Sequence, residues 1–458
     1  MLAKTLHVGR DIRPPEKQHP MKTLQQNEQR VESHLLPRLR LLRRLLPALV
    51  VDPRDRRGIR FPFESVVLAL LAGLLAGSPT LRDVERQSAR LGLGRRGGKI
   101  SDNTLGYLLT LMDDAALLPL QVALVKNMHQ RKQLKPDGLR LHWTTVDGKY
   151  QTLDHHADGL AQKFLCNEGR SVYWRLGVLR AVLVSAKGRP ALGQRVMAPV
   201  QTDETDPEKL KYTGEITNLW PFIQWLREQY GELCTNFTLD AGLWSRDLFA
   251  KFDVAGLGVF GNLKDNKPEL HAEAARVLRI DQLRRGPDAV SDWEPCSKGQ
   301  IKRELWRNTG LDGWNGWGHL RQVVLVKQTM RPRGGGDDVV ELRYFATNLP
   351  APTMTPKQLL ELVRRHWAIE NDCNWSFDMV MLEDDGAWCT QRKSVLALGV
   401  LRMIAYNLLQ WIRKSHVRVK HLTVPDTPLP WRELHEMILA TWVRIGDSLL
   451  WRLSPTTS

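Results

Sequence analysis

The first third of the chain carries apolar residues at helical spacing. Residues 31–50 alternate Leu pairs with Arg pairs, interrupted by Pro37, and residues 61–78 are apolar enough for a buried helix. Residues 79–113 predict a helix, a glycine-rich turn and a second helix that Ser101 caps. This last pair fits two interpretations: a helix–turn–helix whose second helix enters a DNA groove, or a plain helical hairpin.

From residue 140 the pattern changes to strands that alternate with helices. The segment LHWTTVDGKY predicts a strand that ends at Asp147, and CTNFTLDAG predicts a strand that stops at Asp240. Between them lie two strands joined at a KGRP turn and a helix at 219–231. Another helix and another strand follow Asp240. Such alternation indicates an α/β core.

The next segment is rich in Trp, Gly and Arg, and two of its strands flank the turn RPRGGGDD like a hairpin. Thr355 and Pro356 form a standard helix start, so a helix is expected from there through Phe377. The predicted division is a flexible arm at 1–30, a helical DNA-binding domain at 31–135, an α/β core at 136–265 and 353–415, a β-rich insertion at 266–352, and a helical tail at 416–458.

The net charge and its distribution along the chain indicate which class of binding partner to expect. The net charge is +16, and residues 1–60 contain fourteen Lys or Arg against six Asp or Glu. A second basic cluster consists of Arg413, Lys414, Arg418 and Lys420. Clustered positive charge predicts a polyanionic partner, most commonly nucleic acid, and the segments 31–60 and 411–421 are expected to contact phosphates.

Cysteine usage and hydropathy point to the inside of the cell. The five cysteines form no CxxC pair, which argues against a disulfide framework and a structural zinc site. The longest apolar stretch, at 66–77, is too short for a membrane span, and the N-terminus lacks the apolar core of a secretory signal. We therefore expect no membrane partner.

Three acidic residues are candidates for metal-dependent phosphodiester chemistry. Two Mg²⁺ ions, held by carboxylates from separate elements, stabilise the attacking and leaving oxygens in many nucleases. Asp147 and Asp240 each follow an apolar strand and precede a small residue, which places them at the open edge of an α/β sheet. Glu370 lies on a helix that could cross that edge. For any single Asp, a turn or a helix cap is the competing interpretation.

The sequence motifs that contain these residues also resemble those of a known protein family. The motifs VDGK (146–149), TLDAG (238–242), GNLKDNKPEL (261–270) and RRHWAIENDCNWSFDMVMLEDD (364–385) resemble the DDE transposases of bacterial insertion sequences, in particular the H-repeat-associated group. The resemblance covers most of residues 50–385. It implies an RNase H-like fold with Asp147, Asp240 and Glu370 as the catalytic, metal-binding triad.

The same resemblance implies cofactor, partners and location. Two Mg²⁺ or Mn²⁺ ions are expected as cofactor, and double-stranded DNA, both element ends and target, as substrate. Because two DNA ends must be joined, we expect a homodimer or larger assembly on the nucleoid of the bacterial cytoplasm. Two alternatives remain open: a catalytically inactive DNA-binding protein derived from a transposase, and an RNase H-like metal nuclease without joining activity.

The chain departs from the family pattern at several places. Phe377-Asp378-Met379 replaces the usual Leu-Asp-Val, and TDET (202–205) and GEIT (214–217) match the family's segment between the two Asp only loosely. Asn374 and Trp375 stand where the family has a second His-Trp pair, which fits either a divergent branch or a decayed element. Glu383, Asp384 and Asp385 are candidates for a substitute metal ligand or for an exposed acidic turn. The run DHHADG at 154–159 resembles a phosphoesterase motif, but the further motifs of that family are missing, so we interpret it as a loop.

Several neighbours of the triad are candidates for DNA contact. The predicted contacts are Arg365, His366, Asn374, Lys149, Lys264 and Lys267. His366, Glu370 and Asn374 are spaced by four residues and would share one helix face. A surface side-chain pair is the alternative for the helix residues, and a solvated turn is the alternative for Lys264 and Lys267. Four further aromatic residues are candidates for stacking on an unpaired base or for ordinary packing: Trp293, Trp306, Trp314 and Trp317.

Overall fold

The structure is a computed structural model. It describes residues 20–57, 59–94, 98–166, 171–200, 206, 209–384, 388–415, 429–446 and 449. Within these residues the chain is a mixed α/β protein with twelve α-helices and one 11-stranded, mostly antiparallel sheet. Most of the predicted arm and the basic residues Arg418 and Lys420 lie outside the described residues, as does Asp385.

Five helices precede the sheet. They are α1 (Pro20–Leu49), α2 (Phe63–Leu75), α3 (Leu81–Arg90), α4 (Asp102–Leu111) and α5 (Asp114–Gln130). Every residue of α2 except Glu64 is buried, as its apolar run predicts. The predicted cap of α4 is confirmed, because the Ser101 hydroxyl accepts a hydrogen bond from the backbone N–H of Thr104.

The first helix is longer than the sequence pattern predicted. It begins at Pro20, inside the segment interpreted as an arm, and it continues through Pro37. Proline removes one helical hydrogen bond, but Leu35, Leu39 and Leu42 are almost fully buried on the inner face of α1. The burial of that apolar face outweighs the lost bond, so the helix is not interrupted.

The last two helices pack with the first five. α11 (Arg392–Ser415) lies against α2, α4 and α5, and α12 (Trp431–Ile445) lies against α1. By length and composition Arg392–Arg413 is apolar enough to cross a membrane, but 89% of its apolar window is buried inside the fold. The two ends of the chain therefore share one helical layer, an arrangement that the predicted separation into domain and tail did not include.

Six strands and two helices form the first half of the sheet region. They are β1 (Thr144–Leu153), β2 (Gln162–Cys166), β3 (Ser171–Leu183), β4 (Ala191–Val196), α6 (Glu215–Tyr230), β5 (Asn236–Leu239), α7 (Arg246–Val254) and β6 (Gly258–Leu263). β3 pairs with β1, β2 and β4 in antiparallel register. On its other side β1 runs parallel to β5, and β5 runs parallel to β6.

The β-rich segment extends the same sheet. Its elements are α8 (Pro268–Arg284), β7 (Ala289–Val290), β8 (Glu294–Cys296), β9 (Gly299–Asn308), β10 (Gln322–Pro332) and β11 (Val339–Thr347). The predicted hairpin is formed by β10 and β11. β11 pairs antiparallel with β6, from Tyr344 opposite Leu263 to Thr347 opposite Phe260. The segment is therefore joined to the core strands by hydrogen bonds along a shared edge.

The helix that carries Glu370 is not continuous. α9 (Pro356–His366) starts with a reciprocal capping box between Thr355 and Gln358, as the Thr-Pro start predicts. A π-helical segment, Ile369–Asn374, follows and leads into the short α10 (Trp375–Met379). The wider π turn changes the angle between successive side chains, so spacing by four residues no longer fixes a shared face.

Candidate active site

Asp147 and Asp240 lie at the same edge of the parallel strand pair. Asp147 follows Val146, the last residue of β1 that pairs with β5, and Asp240 follows the last residue of β5. The prediction that the first strand ends at Asp147 is wrong. β1 continues to Leu153 because β3 pairs with it along its whole length. The carboxyl ends of the parallel strands still meet at this edge.

The three predicted acids influence one another electrostatically. Burial raises the pKa of Asp147 to about 7, and the charges of Glu370 and Asp240 add to this effect. Burial and the charge of Asp240 also raise the pKa of Glu370. Like charges shift each other's pKa only when they are close. The structure thus brings together three acids that are distant in the sequence.

Asp240 is the member of this set whose pKa is lowered. Burial alone would raise its pKa, but a backbone N–H of Ala241, the charge of Lys264 and the amide of Asn262 outweigh burial and lower it. Asn262 donates to Asp240 Oδ1 at 3.0 Å, and Lys264 Nζ lies 3.7 Å from the same oxygen. Asp240 is therefore held as a carboxylate. Its neighbour Asp147, with a pKa of about 7, keeps its proton more readily.

A fourth carboxyl group joins the site, and sequence reasoning missed it. Glu215 lies in the first turn of α6 and is partly buried; burial and the charge of Asp240 raise its pKa. Its carboxyl group fills the space next to Gly148, where an added Cβ would lie 2.1 Å from Glu215 Oε1. Its charge also contributes to the raised pKa of Asp147. The signals in the sequence were the glycine that follows Asp147 and the loose family match GEIT at 214–217.

His366 is buried beneath the acids. Its Nδ1 lies 2.9 Å from the hydroxyl of Thr238, which in turn lies 2.7 Å from the hydroxyl of Thr145. Burial lowers the pKa of His366 to about 4, so the imidazole is neutral at physiological pH. This chain of hydrogen bonds fastens α9 to β1 and β5. His366 therefore positions the helix that carries Glu370.

Two other predicted DNA contacts also point into the protein. Arg365 Nε donates to Glu361 at 2.6 Å and its Nη1 donates to the carbonyl of Ser185 at 3.0 Å. Asn374 Oδ1 accepts from Arg180 at 3.1 Å. Both side chains are more than nine-tenths buried. The predicted phosphate contacts of Arg365, His366 and Asn374 do not fit this burial, since each side chain is directed into the fold and bonds there through at least one polar atom.

Lys149 belongs to a buried charge cluster around Glu383. Lys149 Nζ donates to Glu383 at 3.1 Å and also to Asp378, and Arg180 Nη2 donates to Glu383 at 2.7 Å. Burial would raise the pKa of Glu383, but Arg180, Lys149 and Arg402 outweigh burial and lower it to about 2. Glu383 is neither an exposed turn residue nor a spare metal ligand, and Lys149 does not reach solvent to bind DNA.

The other two predicted lysines differ in exposure. The side chain of Lys264 is 58% exposed beside Asp240 and stays available for a phosphate. Lys267 donates to the carbonyl of Ala241 at 2.8 Å and lies over the ring of Trp244 at 4.3 Å. Burial lowers the pKa of Lys267 to about 8. Lys264 is thus the predicted DNA contact that the structure leaves most accessible.

The four candidate stacking tryptophans have partners within the protein. Trp306 is 5% exposed, and Trp317 packs at right angles to Trp244 and Phe249. Trp314 packs against the same core, and Arg331 lies over the ring of Trp293 at 4.2 Å. Ordinary packing accounts for all four positions.

The acid set has the chemistry of a divalent-cation site but not a closed geometry. Carboxylate oxygens are the ligands that Mg²⁺ and Mn²⁺ prefer, and the raised pKa values of Asp147 and Glu370 reflect burial together with negative charge that a cation would neutralise. In the described part of the chain, no three His, Cys, Asp or Glu side chains already stand close enough together to hold one ion. A cation at this edge would therefore require movement of these side chains.

Comparison with known proteins leaves the family open: no protein-family model matches the chain, and no curated protein sequence matches it significantly.

Proposed function

We propose that the chain is a DDE-type transposase, which cuts DNA at the ends of an insertion-sequence element and joins those ends to target DNA. Asp147, Asp240 and Glu370 form its acidic triad. One observation carries this proposal. The three acids belong to separate elements that are far apart in the sequence, yet they meet at one edge of the sheet, where burial and their charges raise the pKa values of Asp147 and Glu370. Carboxyl groups whose pKa values are raised by burial and by neighbouring negative charge are common at functional sites.

An RNase H-like core is part of the proposal. It is supported by the position of β1, which pairs antiparallel with β3 on one side and parallel with β5 on the other. The two aspartates lie where the parallel pairing ends, and the helical segment with Glu370 contacts β1 and β3. The insertion then extends the sheet beyond β6.

The residues of the site have distinct tasks on this proposal. Asp147, Asp240 and Glu370 would hold two Mg²⁺ or Mn²⁺ ions, which stabilise charge on the oxygens of the reacting phosphate when bound. Asp240 is ready as a carboxylate, whereas Asp147 must release its proton as the cations bind. His366 holds the helix against the sheet, and Lys264 beside Asp240 faces solvent, where the DNA backbone would pass.

The net charge of +16 supports a polyanionic substrate. We propose double-stranded DNA, as element ends and as target, acted on by two or more copies of the chain. The place of action on this proposal is the bacterial nucleoid, in the cytoplasm.

A strand-transfer assay tests the proposal. The full chain is incubated with DNA of its own element ends, a target plasmid, and Mg²⁺ or Mn²⁺. Asp147→Asn and Glu370→Gln should each abolish cleavage and joining, whereas Glu228→Gln, at an exposed acid of α6, should retain both. DNA binding without cleavage under either metal would favour an inactive DNA-binding protein. Cleavage without joining would favour a nuclease.

Metal binding gives a second readout that does not depend on catalysis. Calorimetric titration of the wild type with Mn²⁺ should show binding that Asp147→Asn and Glu370→Gln weaken by at least about tenfold. Equal affinity in these variants and in the wild type would contradict the assignment of the triad as the metal site.

A further inference from the structure

A cleft opens between the insertion strands and the helical segment that carries Glu370. Its volume is about 420 Å³. One wall is formed by β9, β10 and β11, and the other by α9 and the π-helical segment. The polar and aromatic residues that line it include Arg303, Arg343, Arg364, Trp367, Glu370 and Asn371. The candidate active site therefore continues into a pocket with three guanidinium groups.

The three arginines that line this cleft, here called the arginine cleft, all pair with carboxylates. Arg303 and Arg364 share one carboxylate, because both lie against Oε2 of Glu294, at 2.9 and 3.1 Å. Arg364 also pairs with Glu361, which is itself shared with Arg365. Glu294 and Glu361 are thus each shared by two arginines. Together with burial, the charges of Arg364 and Arg343 lower the pKa of Arg303. A further anion in the cleft would relieve this repulsion.

Trp367 holds one of the arginines in place. The guanidinium of Arg343 lies over its indole ring, 4.9 Å from the centroid, and pairs with Glu341 at the cleft margin. The face of the ring is thus covered, so Trp367 acts as a support for Arg343. Its indole N–H is buried and meets no acceptor among the described residues.

We propose that the arginine cleft binds the phosphate backbone of a single DNA strand next to Glu370. This inference rests on the proposed function, since it assigns the path of the strand to be cut. A pocket of this volume accommodates about one small ligand, hence one nucleotide of an unpaired strand and not a duplex. Guanidinium groups bind phosphate oxygens through hydrogen bonds, and the side chains of Arg343 and Arg364 are partly exposed at the rim, where a phosphate would compete with their present carboxylate partners.

The test measures binding of a fluorescein-labelled 12-nucleotide single strand to the full chain in EDTA, where metal-dependent cleavage cannot occur. Fluorescence anisotropy is followed over a range of salt concentrations. Arg343→Gln and Arg364→Gln should each weaken binding and reduce the slope of log K against log salt by about 0.7, as expected for one lost contact to a single strand. Melting temperatures verify that both variants are folded.

Arg276→Gln is the matched control. Arg276 is 60% exposed on α8 and pairs with Glu273. α8 packs on the opposite face of the insertion strands, where Leu270 and Leu278 share a core with Leu325. This variant should keep the wild-type slope. Inorganic phosphate at equal ionic strength should displace the strand poorly, whereas effective displacement would mean a site for free phosphate and overturn the inference.

The outcomes separate this inference from the proposed function. If Arg343→Gln and Arg364→Gln bind the strand with the wild-type slope while the wild type cleaves DNA, the cleft assignment is overturned and the transposase proposal stands. If the slopes fall but the wild type cleaves no DNA with any metal, the cleft is a strand-binding site and the transposase proposal fails.

Discussion

Gly148 and Glu215 fit each other so closely that a single methyl group at position 148 would overlap the glutamate carboxyl group, at 2.1 Å from Oε1. The glycine lies in β1 directly after Asp147, and the glutamate lies in the first turn of α6. Glu215 is thereby held against the strand that carries the first acid of the triad. The contact makes Glu215 part of the candidate site and leads to the first prediction.

Gly148→Ala should reduce cleavage at least about tenfold while changing the free energy of unfolding by less than about 1 kcal/mol. The reason is that Glu215 is partly exposed and can rotate into solvent, which removes the overlap but also withdraws its carboxyl group. Glu215→Gln should reduce cleavage similarly. The double variant should be no worse than either single one, because both remove the same group. Additive losses, or an equal loss in Glu228→Gln, would contradict this prediction.

Asp147→Asn should change how the stability of the metal-free protein depends on pH. The carboxyl group titrates near 3.8 when unfolded and at about 7 when folded. Between these values the folded protein retains a proton that the unfolded chain has released, so stability falls as pH rises from about 4 to 7. Urea unfolding in EDTA at several pH values should show a flatter dependence for Asp147→Asn than for Glu228→Gln. Identical profiles for the two variants would argue against a buried, repelled acid at position 147.

Glu383→Gln should destabilise the protein by about 3–5 kcal/mol, since it leaves Arg180 and Lys149 buried without their shared carboxylate. The pKa of Glu383 is lowered from 4.5 to about 2, so its contribution is fully present above about pH 4.5 and is lost as pH falls toward 2. The stability difference between wild type and variant, measured by urea unfolding, should therefore shrink below pH 4.5. Glu433→Gln, at an exposed acid, should behave like the wild type at every pH.

His366→Leu and Lys264→Gln should separate positioning from DNA contact. His366→Leu removes the hydrogen bond to Thr238 and should lower stability by about 1–2 kcal/mol, with the salt dependence of duplex binding unchanged. Lys264→Gln should leave stability within about 0.5 kcal/mol and reduce the salt slope by about 0.9, as expected for one lost phosphate contact. If His366→Leu reduced the salt dependence of duplex binding, the imidazole would have to be a DNA contact after all.

Local patterns predicted the local elements well. Thr355 and Ser101 cap helices because their hydroxyl groups accept nearby backbone N–H groups, an interaction encoded within four residues. The end of β5 before Asp240 was predicted for a similar reason, since a short apolar run is followed by a turn. Features set by distant partners were missed. β1 continues past Asp147 because β3, which begins some twenty residues later, supplies hydrogen bonds along its full length.

The site itself was only partly predictable. Asp147, Asp240 and Glu370 stood out through strand ends and a motif, but the burial of His366 and Arg365 depends on how α9 lies across the sheet. Helical spacing predicted that His366, Glu370 and Asn374 share one face, but the π-helical segment from Ile369 to Asn374 changes that spacing. Glu215 could not be selected, because its proximity to Gly148 arises only when α6 folds back onto β1.

The shared layer of first and last helices makes folding depend on the whole chain. α2 is almost wholly apolar, and α11 is one of the helices that cover it. During synthesis α2 leaves the ribosome more than three hundred residues before α11. Its apolar surface therefore stays exposed until α11 has been made and packs against it. A premature stop codon in front of α11 would leave this surface bare and yield an aggregation-prone fragment, even though every acid of the triad had already been made.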